Sequence, residues 1–189
     1  MSLPLVVGIS GASGAVYAVR LLQVLRQLQI PVHLVISKSG MRSVQQETEL
    51  EPGSLRELVE ARHANSDLGA SIASGSFRTR GMIVIPCSIR TLSDIAYGTT
   101  DTLISRAADV ALKERRRLVL AVRETPLHAG HLRSMLAATE NGAIVMPPVP
   151  AFYQRPKTLE DLIDDTVGRC LQLFDIDSGL VEPWQSPPE

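Results

Sequence analysis

The apolar residues of this chain gather in about five short runs, and each run ends at small, polar or charged residues. Leu5 to Ile9 stops at Ser10-Gly11-Ala12-Ser13-Gly14, Val32 to Ile36 at Ser37-Lys38-Ser39, and Met82 to Ile85 at Pro86-Cys87-Ser88-Ile89-Arg90-Thr91. Leu118 to Val122 stops at Arg123-Glu124-Thr125-Pro126, and Ala143 to Met146 at Pro147-Pro148. Runs this short and this rich in β-branched residues predict buried strands. Helical spacing lies between them. Ala18, Leu21, Leu22, Leu25 and Leu28 share one face before Pro31 ends the segment. Further helices are predicted over 38–47, over 53–62 with Leu55, Leu58 and Val59 inward, and over 129–140. Another contains Ala107, Ala108, Val110, Ala111 and Leu112, and a last one runs from about Leu159 to Phe174. Residues 63–80, small, polar and rich in Gly and Ser, predict a long loop of the kind that is usually functional or mobile.

Strand and helix alternate, so the chain predicts a doubly wound α/β domain with right-handed crossovers. The repeats are too few for an eight-stranded barrel. With 189 residues, one domain is expected, over 1–175, followed by an extended tail at 176–189 that carries Gly179, Pro183, Pro187 and Pro188. In such a sheet ligands bind beyond the carboxyl ends of the strands. Here those ends supply hydroxyls, backbone N–H groups, an arginine and a carboxylate, which points to a phosphate-bearing ligand.

Composition narrows the class. The chain is 44% hydrophobic, with a net charge of −1 and a pI near 6.4, so nothing suggests a nucleic-acid or membrane surface. No apolar run approaches the ~18 residues of a membrane span. Two cysteines, Cys87 and Cys170, cannot make a disulfide framework. No signal peptide is evident, and a reduced, cytoplasmic setting is expected.

The spacing Gly8-x-x-Gly11-x-x-Gly14 is not the dinucleotide fingerprint, but it sits between a strand and a helix, where N–H groups and the helix dipole favour an anion. Its other reading is a tight turn with Ser13 as the helix N-cap. Ser37 suits a cap for the helix starting at Lys38. Ser88 and Thr91 frame a second strand-to-helix turn, as caps or as ligand contacts. Cys87, beside Pro86, reads as packing. Arg123-Glu124 leaves a strand directly; a partly buried carboxylate there would have a raised pKa unless paired, which suits proton transfer, and the plainer reading is an ion pair holding a loop. Arg106 and Lys113, seven apart, share a helical face. From spacing alone, the run Lys113 to Arg117 reads as the solvated end of a helix. His128 and His131 lack a third metal ligand, so no metal is expected. Tyr153, in an irregular proline-rich stretch, and Arg169, in the last helix, make a plausible phosphate clamp, with an Asp165–Arg169 ion pair as the plainer reading for the arginine.

Together these motifs resemble the flavin prenyltransferases of the UbiX/Pad1 family. The resemblance rests on Gly11-Ala12-Ser13-Gly14, Pro86 to Leu92, Arg106 to Arg115, Arg123 to Leu127 and Pro148 to Tyr153, and covers residue 5 to Trp184. It implies a flavodoxin-like domain in a homododecamer that joins the prenyl group of dimethylallyl phosphate to N5 and C6 of reduced FMN. The product, prenylated FMN, serves a UbiD-type decarboxylase, in many bacteria for ubiquinone biosynthesis. By the same resemblance, Gly11, Ala12, Ser13, Ser37, Ser88, Ile89, Arg90, Thr91 and Arg123 hold FMN, which is consumed as acceptor. Tyr153 and Arg169 bind the prenyl phosphate, Arg106 and Lys113 reach it from neighbouring subunits, and Glu124 handles protons. One departure stands out: Leu68 falls near where some members place a tryptophan. Two rivals share the fold. Flavin-dependent cysteine decarboxylases carry an asparagine where this chain has Arg90, and flavodoxin-like electron carriers are usually strongly acidic.

Overall fold

The computed structural model describes residues 2–51 and 53–181; the last part of the expected tail, 182–189, lies outside the described residues. Six strands form one parallel sheet: β1 (Leu5–Ile9), β2 (Val32–Ile36), β3 (Ala61–Ala64), β4 (Gly81–Cys87), β5 (Arg117–Val122) and β6 (Ile144–Val145). They lie in the order β3-β2-β1-β4-β5-β6. Five helices connect strands, α1 (Ala15–Gln27), α2 (Lys38–Glu47), α3 (Ile89–Ala96), α4 (Leu103–Lys113) and α5 (Ala129–Glu140), and α6 (Leu159–Gln172) follows β6. This is the flavodoxin-like, doubly wound α/β architecture. The chain steps outward from β1 to β3 and then returns to the other side of β1, which puts the switch point between β1 and β4.

Alternate strand residues face opposite helix layers. Leu5, Val7, Ile9, Ile83, Ile85, Val119 and Ala121 pack with α1, α6 and Val44 of α2. Val6, Met82, Val84, Leu118, Leu120 and Val122 pack with α3, α4 and α5. Burial on both faces explains why the strand runs are continuously apolar rather than alternating.

The helix expected over 53–62 does not form. A single 3-10 turn spans Ser54–Leu58, and the chain then becomes β3, pairing His33 with Ala61 through Ile36 with Ala64. Leu55 is buried as expected, whereas Leu58 and Val59 are only partly covered. Ala-Arg-His-Ala carries no apolar run, so the strand is invisible locally. What makes it a strand is the open backbone edge of β2, whose N–H and C=O groups it pairs. The expected 63–80 loop is therefore shorter. It is also packed: a 3-10 turn at Ser71–Ala73 buries Ile72 and Ala73 in the core layer of α4. At the other end of the chain, Ile176 is buried and Leu180 lies against Gly168 of α6. Among the described residues no helix is long and apolar enough to cross a membrane.

A polar contact sits where β2 meets β3. His33 is 7% exposed, its Nδ1 lies 3.0 Å from Nε2 of His63, and its ring packs on Phe77. Burial lowers the pKa of both imidazoles; for His33 the neighbouring His63 lowers it further and Glu60 opposes, and for His63 Asp67 opposes. A hydrogen bond between two ring nitrogens also requires one neutral ring. The unfolded chain then binds more protons below its ordinary histidine pKa of about 6.5. Stability from the pair is present above that pH and is lost as pH falls through the lowered folded values. Thermal melts from pH 7 to pH 5 should show Tm falling more steeply for the wild type than for His63→Gln, and parallel curves would remove this role.

Candidate functional site

The carboxyl ends of β1, β2, β4 and β5 converge on a cavity of about 450 Å³ at the switch point. The turn after β1 contributes Gly11, and the start of α2 contributes Ser37, Lys38 and Ser39. The turn into α3 gives Ser88, Ile89, Arg90, Thr91 and Asp94; the start of α4 gives Thr102 and Ile104; Asn65 and Glu124 complete the wall. Seven residues expected at the site therefore meet here: Gly11, Ser37, Ser88, Ile89, Arg90, Thr91 and Glu124. Ala12 and Ser13 belong to the same β1–α1 turn, and Arg123 follows β5 directly as an exposed residue.

Several local bonds shape this wall. Ser10 is buried; its Oγ donates to the Pro86 carbonyl at 3.0 Å and accepts from the Ser88 N–H at 2.7 Å. One hydroxyl thus ties the turn after β1 to the turn after β4. Gly11 is required by closeness, because a Cβ there would lie 2.3 Å from Cβ of Ser39. Ser37 caps α2 by accepting from the Gly40 N–H at 2.9 Å, and Ser88 caps α3 by accepting from the Thr91 N–H at 3.3 Å. Both serines cap a helix and also line the cavity. Ser13 does not cap α1. The N-cap is Gly14, at φ 109°, and the carboxylate of Glu47 accepts from the N–H groups of Gly14 and Ala15 at 2.8 and 2.7 Å.

Local reading missed Lys38, Ser39, Asn65, Asp94, Thr102 and Ile104. Asn65 follows β3, which itself was hidden, and its Oδ1 accepts from the Ile104 N–H at 3.1 Å. Thr102 carries a capping-box signal with Ser105 at the start of α4, and this signal could have marked it. Asp94 lies one turn after Arg90, whose Nε is 3.9 Å away but whose side chain is 89% exposed. Burial holds the Asp94 carboxyl above its usual range, Arg90 partly offsets this, and Asp101 adds to it.

The partial burial expected at Glu124 is not found in the single chain: the chain leaves the sheet at Val122 and Glu124 is exposed, its carboxylate accepting from the Thr125 N–H at 3.0 Å. Cys87 is fully buried and burial pushes its thiol far up, so no thiolate nucleophile is available. His128 caps α5 through Nδ1, and its ring stacks on His131 at 3.6 Å. Among the described residues no group of three His, Cys, Asp or Glu could hold a metal ion.

The remaining expected residues lie elsewhere in the chain. Tyr153 and Arg169 line a second cavity of about 320 Å³, floored by Ile144, Val145, Met146 and Val149 beside β6 and α6. Arg169 makes no direct ion pair with Asp165, although its charge opposes the rise that burial gives the Asp165 carboxyl: its guanidinium donates to Gln172 at 2.6 Å, while Asp165 accepts from Gln154 at 3.2 Å. Arg106 pairs with Asp109 at 2.8 Å, and Lys113 with Glu114 at 2.5 Å. Thr102 sits at the first cavity and α4 rises 1.5 Å per residue, so Lys113 is roughly 16 Å away along the helix. Arg116, expected on a solvated face, instead donates to the carbonyls of Gly75 and Phe77 at 2.6 and 2.7 Å and pins the Ser74-Gly75-Ser76 segment. Leu68, on the same loop, is 48% exposed.

A doubly wound sheet with a hydroxyl-lined, partly apolar cavity at its switch point is the arrangement in which α/β proteins of this class hold nucleotides. The family model described as Flavoprotein matches residues 2–179. The chain is 53% identical over 185 residues to "Flavin prenyltransferase UbiX" of Thauera aromatica, covering 98% of this chain and 95% of that protein. It belongs to the flavoproteins and, among them, to the UbiX-type flavin prenyltransferase family. A crystal structure of AnUbiX (PadA1) in complex with FMN and dimethylallyl pyrophosphate superposes with a TM-score of 0.97 at 49% identity, covering all of both chains. A dodecameric FMN-dependent UbiX-like decarboxylase from Escherichia coli O157:H7 superposes at 0.94 with 44% identity, covering 98% of this chain and all of that one. The peptidyl-cysteine decarboxylase EpiD, at 14% identity and a TM-score of 0.65, shares the fold alone.

Ser10→Ala should leave the half-buried Ser88 N–H without its partner and destabilise the chain by about 1–3 kcal/mol. Urea denaturation measures this, and an unchanged midpoint would dismiss the cross-link.

Proposed function

We propose that this chain transfers the dimethylallyl group of dimethylallyl phosphate to N5 and C6 of reduced FMN. The product would be the prenylated FMN cofactor of a UbiD-type decarboxylase acting in ubiquinone biosynthesis or on aromatic acids. The observation that carries the proposal is the switch-point cavity. It joins the hydroxyls of Ser37, Ser39, Ser88 and Thr91 and the charge of Lys38 with the apolar surfaces of Ile89 and Ile104. That donor set fits a phosphate with a polyol chain, and the isoleucines fit a flat ring system.

In this reading Gly11, Ala12, Ser13 and Ser37 hold the phosphate end of FMN. Ser88, Ile89, Arg90 and Thr91 hold the rest, with Arg123 adding a charge. FMN supplies the nucleophilic ring atoms and is consumed. Tyr153 and Arg169 take the prenyl phosphate, with the aliphatic floor of their cavity beside the prenyl chain. Arg106 and Lys113 add cationic charge as the carbon–oxygen bond breaks and negative charge grows on the leaving phosphate. Glu124 exchanges protons near that phosphate.

These residues occupy separate regions of a single chain, which supports a site assembled from neighbouring copies; a homododecamer is proposed by likeness to the dodecameric relative from Escherichia coli O157:H7. Closure by a neighbouring copy would also shield Glu124 and keep water from an allylic cation. A cytoplasmic location suits two buried, unpaired cysteines. The domain is taken as 1–175, and no metal is required.

Mass spectrometry after incubation with reduced FMN and dimethylallyl phosphate should find a flavin heavier by one five-carbon prenyl unit, with or without EDTA. Unmodified FMN under confirmed binding would reject the proposal. Glu124→Gln should keep FMN affinity while single-turnover transfer slows by about 10²–10⁴-fold, the usual worth of a positioned proton-transfer group. An unchanged rate removes Glu124 from the chemistry. Arg169→Ala should raise KM for the prenyl phosphate and leave the FMN Kd unchanged in titrations; equal weakening of both would assign Arg169 a structural task.

A further inference from the structure

We propose that Arg116 is a positioning residue for Lys113: its guanidinium clamps the Ser74-Gly75-Ser76 segment against the end of α4 and so seats the Lys113–Glu114 pair where the lysine meets the prenyl phosphate. The inference rests on the role proposed for Lys113 and deepens it.

The end of α4 is shaped to send Arg116 back toward that segment. Glu114 is the C-cap, and Arg115 follows at φ 55°, a left-handed conformation more often left to glycine. The Arg115 N–H donates to the Leu112 carbonyl at 3.0 Å and the Arg116 N–H to the Ala111 carbonyl at 2.8 Å, the pairing that closes a helix and reverses the chain. The Arg116 guanidinium then reaches three oxygens of the loop. Nη2 donates to the Gly75 carbonyl at 2.6 Å, and Nη1 donates to the Phe77 carbonyl at 2.7 Å and the Thr79 hydroxyl at 3.4 Å. A rigid fork bonded in this way fixes orientation as well as position.

Gly75 stands between the clamp and the lysine. Arg116 holds its carbonyl, and a Cβ built on its α-carbon would lie 2.7 Å from Nζ of Lys113 and overlap Oε1 of Glu114. Lys113 in turn donates to Glu114 at 2.5 Å. A few residues earlier, Ile72 and Ala73 are buried in the core layer of α4, so the segment is tied to this helix at two levels. The Lys113 side chain is 46% exposed, and a lysine in that setting would otherwise sample many rotamers. Seating it before the ligand arrives lowers the cost of ordering it. None of the three oxygens that Arg116 holds belongs to a residue of the switch-point cavity, so the clamp does not reach the flavin wall. Arg116 touches no reacting atom and acts through the loop.

The test measures prenylated-flavin formation by the full-length protein from reduced FMN and dimethylallyl phosphate, with FMN titrations alongside. Arg116→Ala should lower kcat/KM for dimethylallyl phosphate about tenfold and leave the FMN Kd within about twofold of wild type. Arg116→Lys keeps the charge but not the fork, so it should lose as much. Gly75→Ala leaves Arg116 in place and displaces only the flexible ends of Lys113 and Glu114, so it should fold and show the same loss. In a Lys113→Ala background neither Arg116→Ala nor Gly75→Ala should cost more than about twofold, because their effect runs through the lysine. Added guanidinium should restore Arg116→Ala and leave Lys113→Ala unmoved. If Arg116→Ala does not fold, Arg116→Lys and Gly75→Ala carry the test. Wild-type kcat/KM in the folded variants, losses that multiply with Lys113→Ala, or equal loss of FMN affinity overturns the inference and leaves the functional reading standing. Full activity in Lys113→Ala removes the role proposed for Lys113 and the inference with it, and a wild-type chain that forms no prenylated flavin overturns the functional reading itself.

Discussion

Burial of the parallel sheet on both faces is the constraint from which the rest follows. With α1 and α6 on one side and α3, α4 and α5 on the other, no polar side chain can leave the middle of β1, β4 or β5 without being trapped in the core. Chemistry is therefore pushed to the strand ends. At the carboxyl ends the chain must also turn into helices whose first N–H groups lack intrahelical partners. Ser37 and Ser88 answer that need as caps and face the cavity at the same time. A nucleotide site at the switch point is thus a by-product of how such a sheet closes its ends.

Those ends would be loose if each turn were held only by its own neighbours, and the structure links them. Ser10 joins the first and fourth strand ends through one hydroxyl. Glu47 joins the end of α2 to the start of α1, and Asn65 joins the end of β3 to the start of α4. None of the three is near its partner in sequence. A site built this way depends on long-range bonds, each of which can be broken without touching a ligand.

The cations and the tyrosine expected to meet a second phosphate do not meet the first cavity in one chain. Tyr153 and Arg169 stand by β6, while Lys113 and Arg116 lie at the far end of α4. Arg116 is already engaged with the Gly75 and Phe77 carbonyls, and Glu114 holds Lys113.

Periodicity alone determined most of the elements. The apolar runs located β1, β2, β4 and β5 to within a residue or two, and helical spacing located α1, α5 and α6, because burial on a fixed face leaves a local imprint. The serines and glycines of the first cavity were legible for the same reason, lying where those runs stop. What the tertiary structure decided was everything set by a distant partner. Residues 61–64 became a strand because β2 offered an open edge, against three apolar residues at helical spacing just before them. Ser13 lost the cap of α1 to Glu47, since a carboxylate reaching two N–H groups outcompetes a nearby hydroxyl. Glu124, adjacent to a buried strand, proved exposed because its surroundings depend on what packs across the sheet ends. A local pattern records which face of an element is buried, but it carries no record of which distant group arrives to fill a backbone valence.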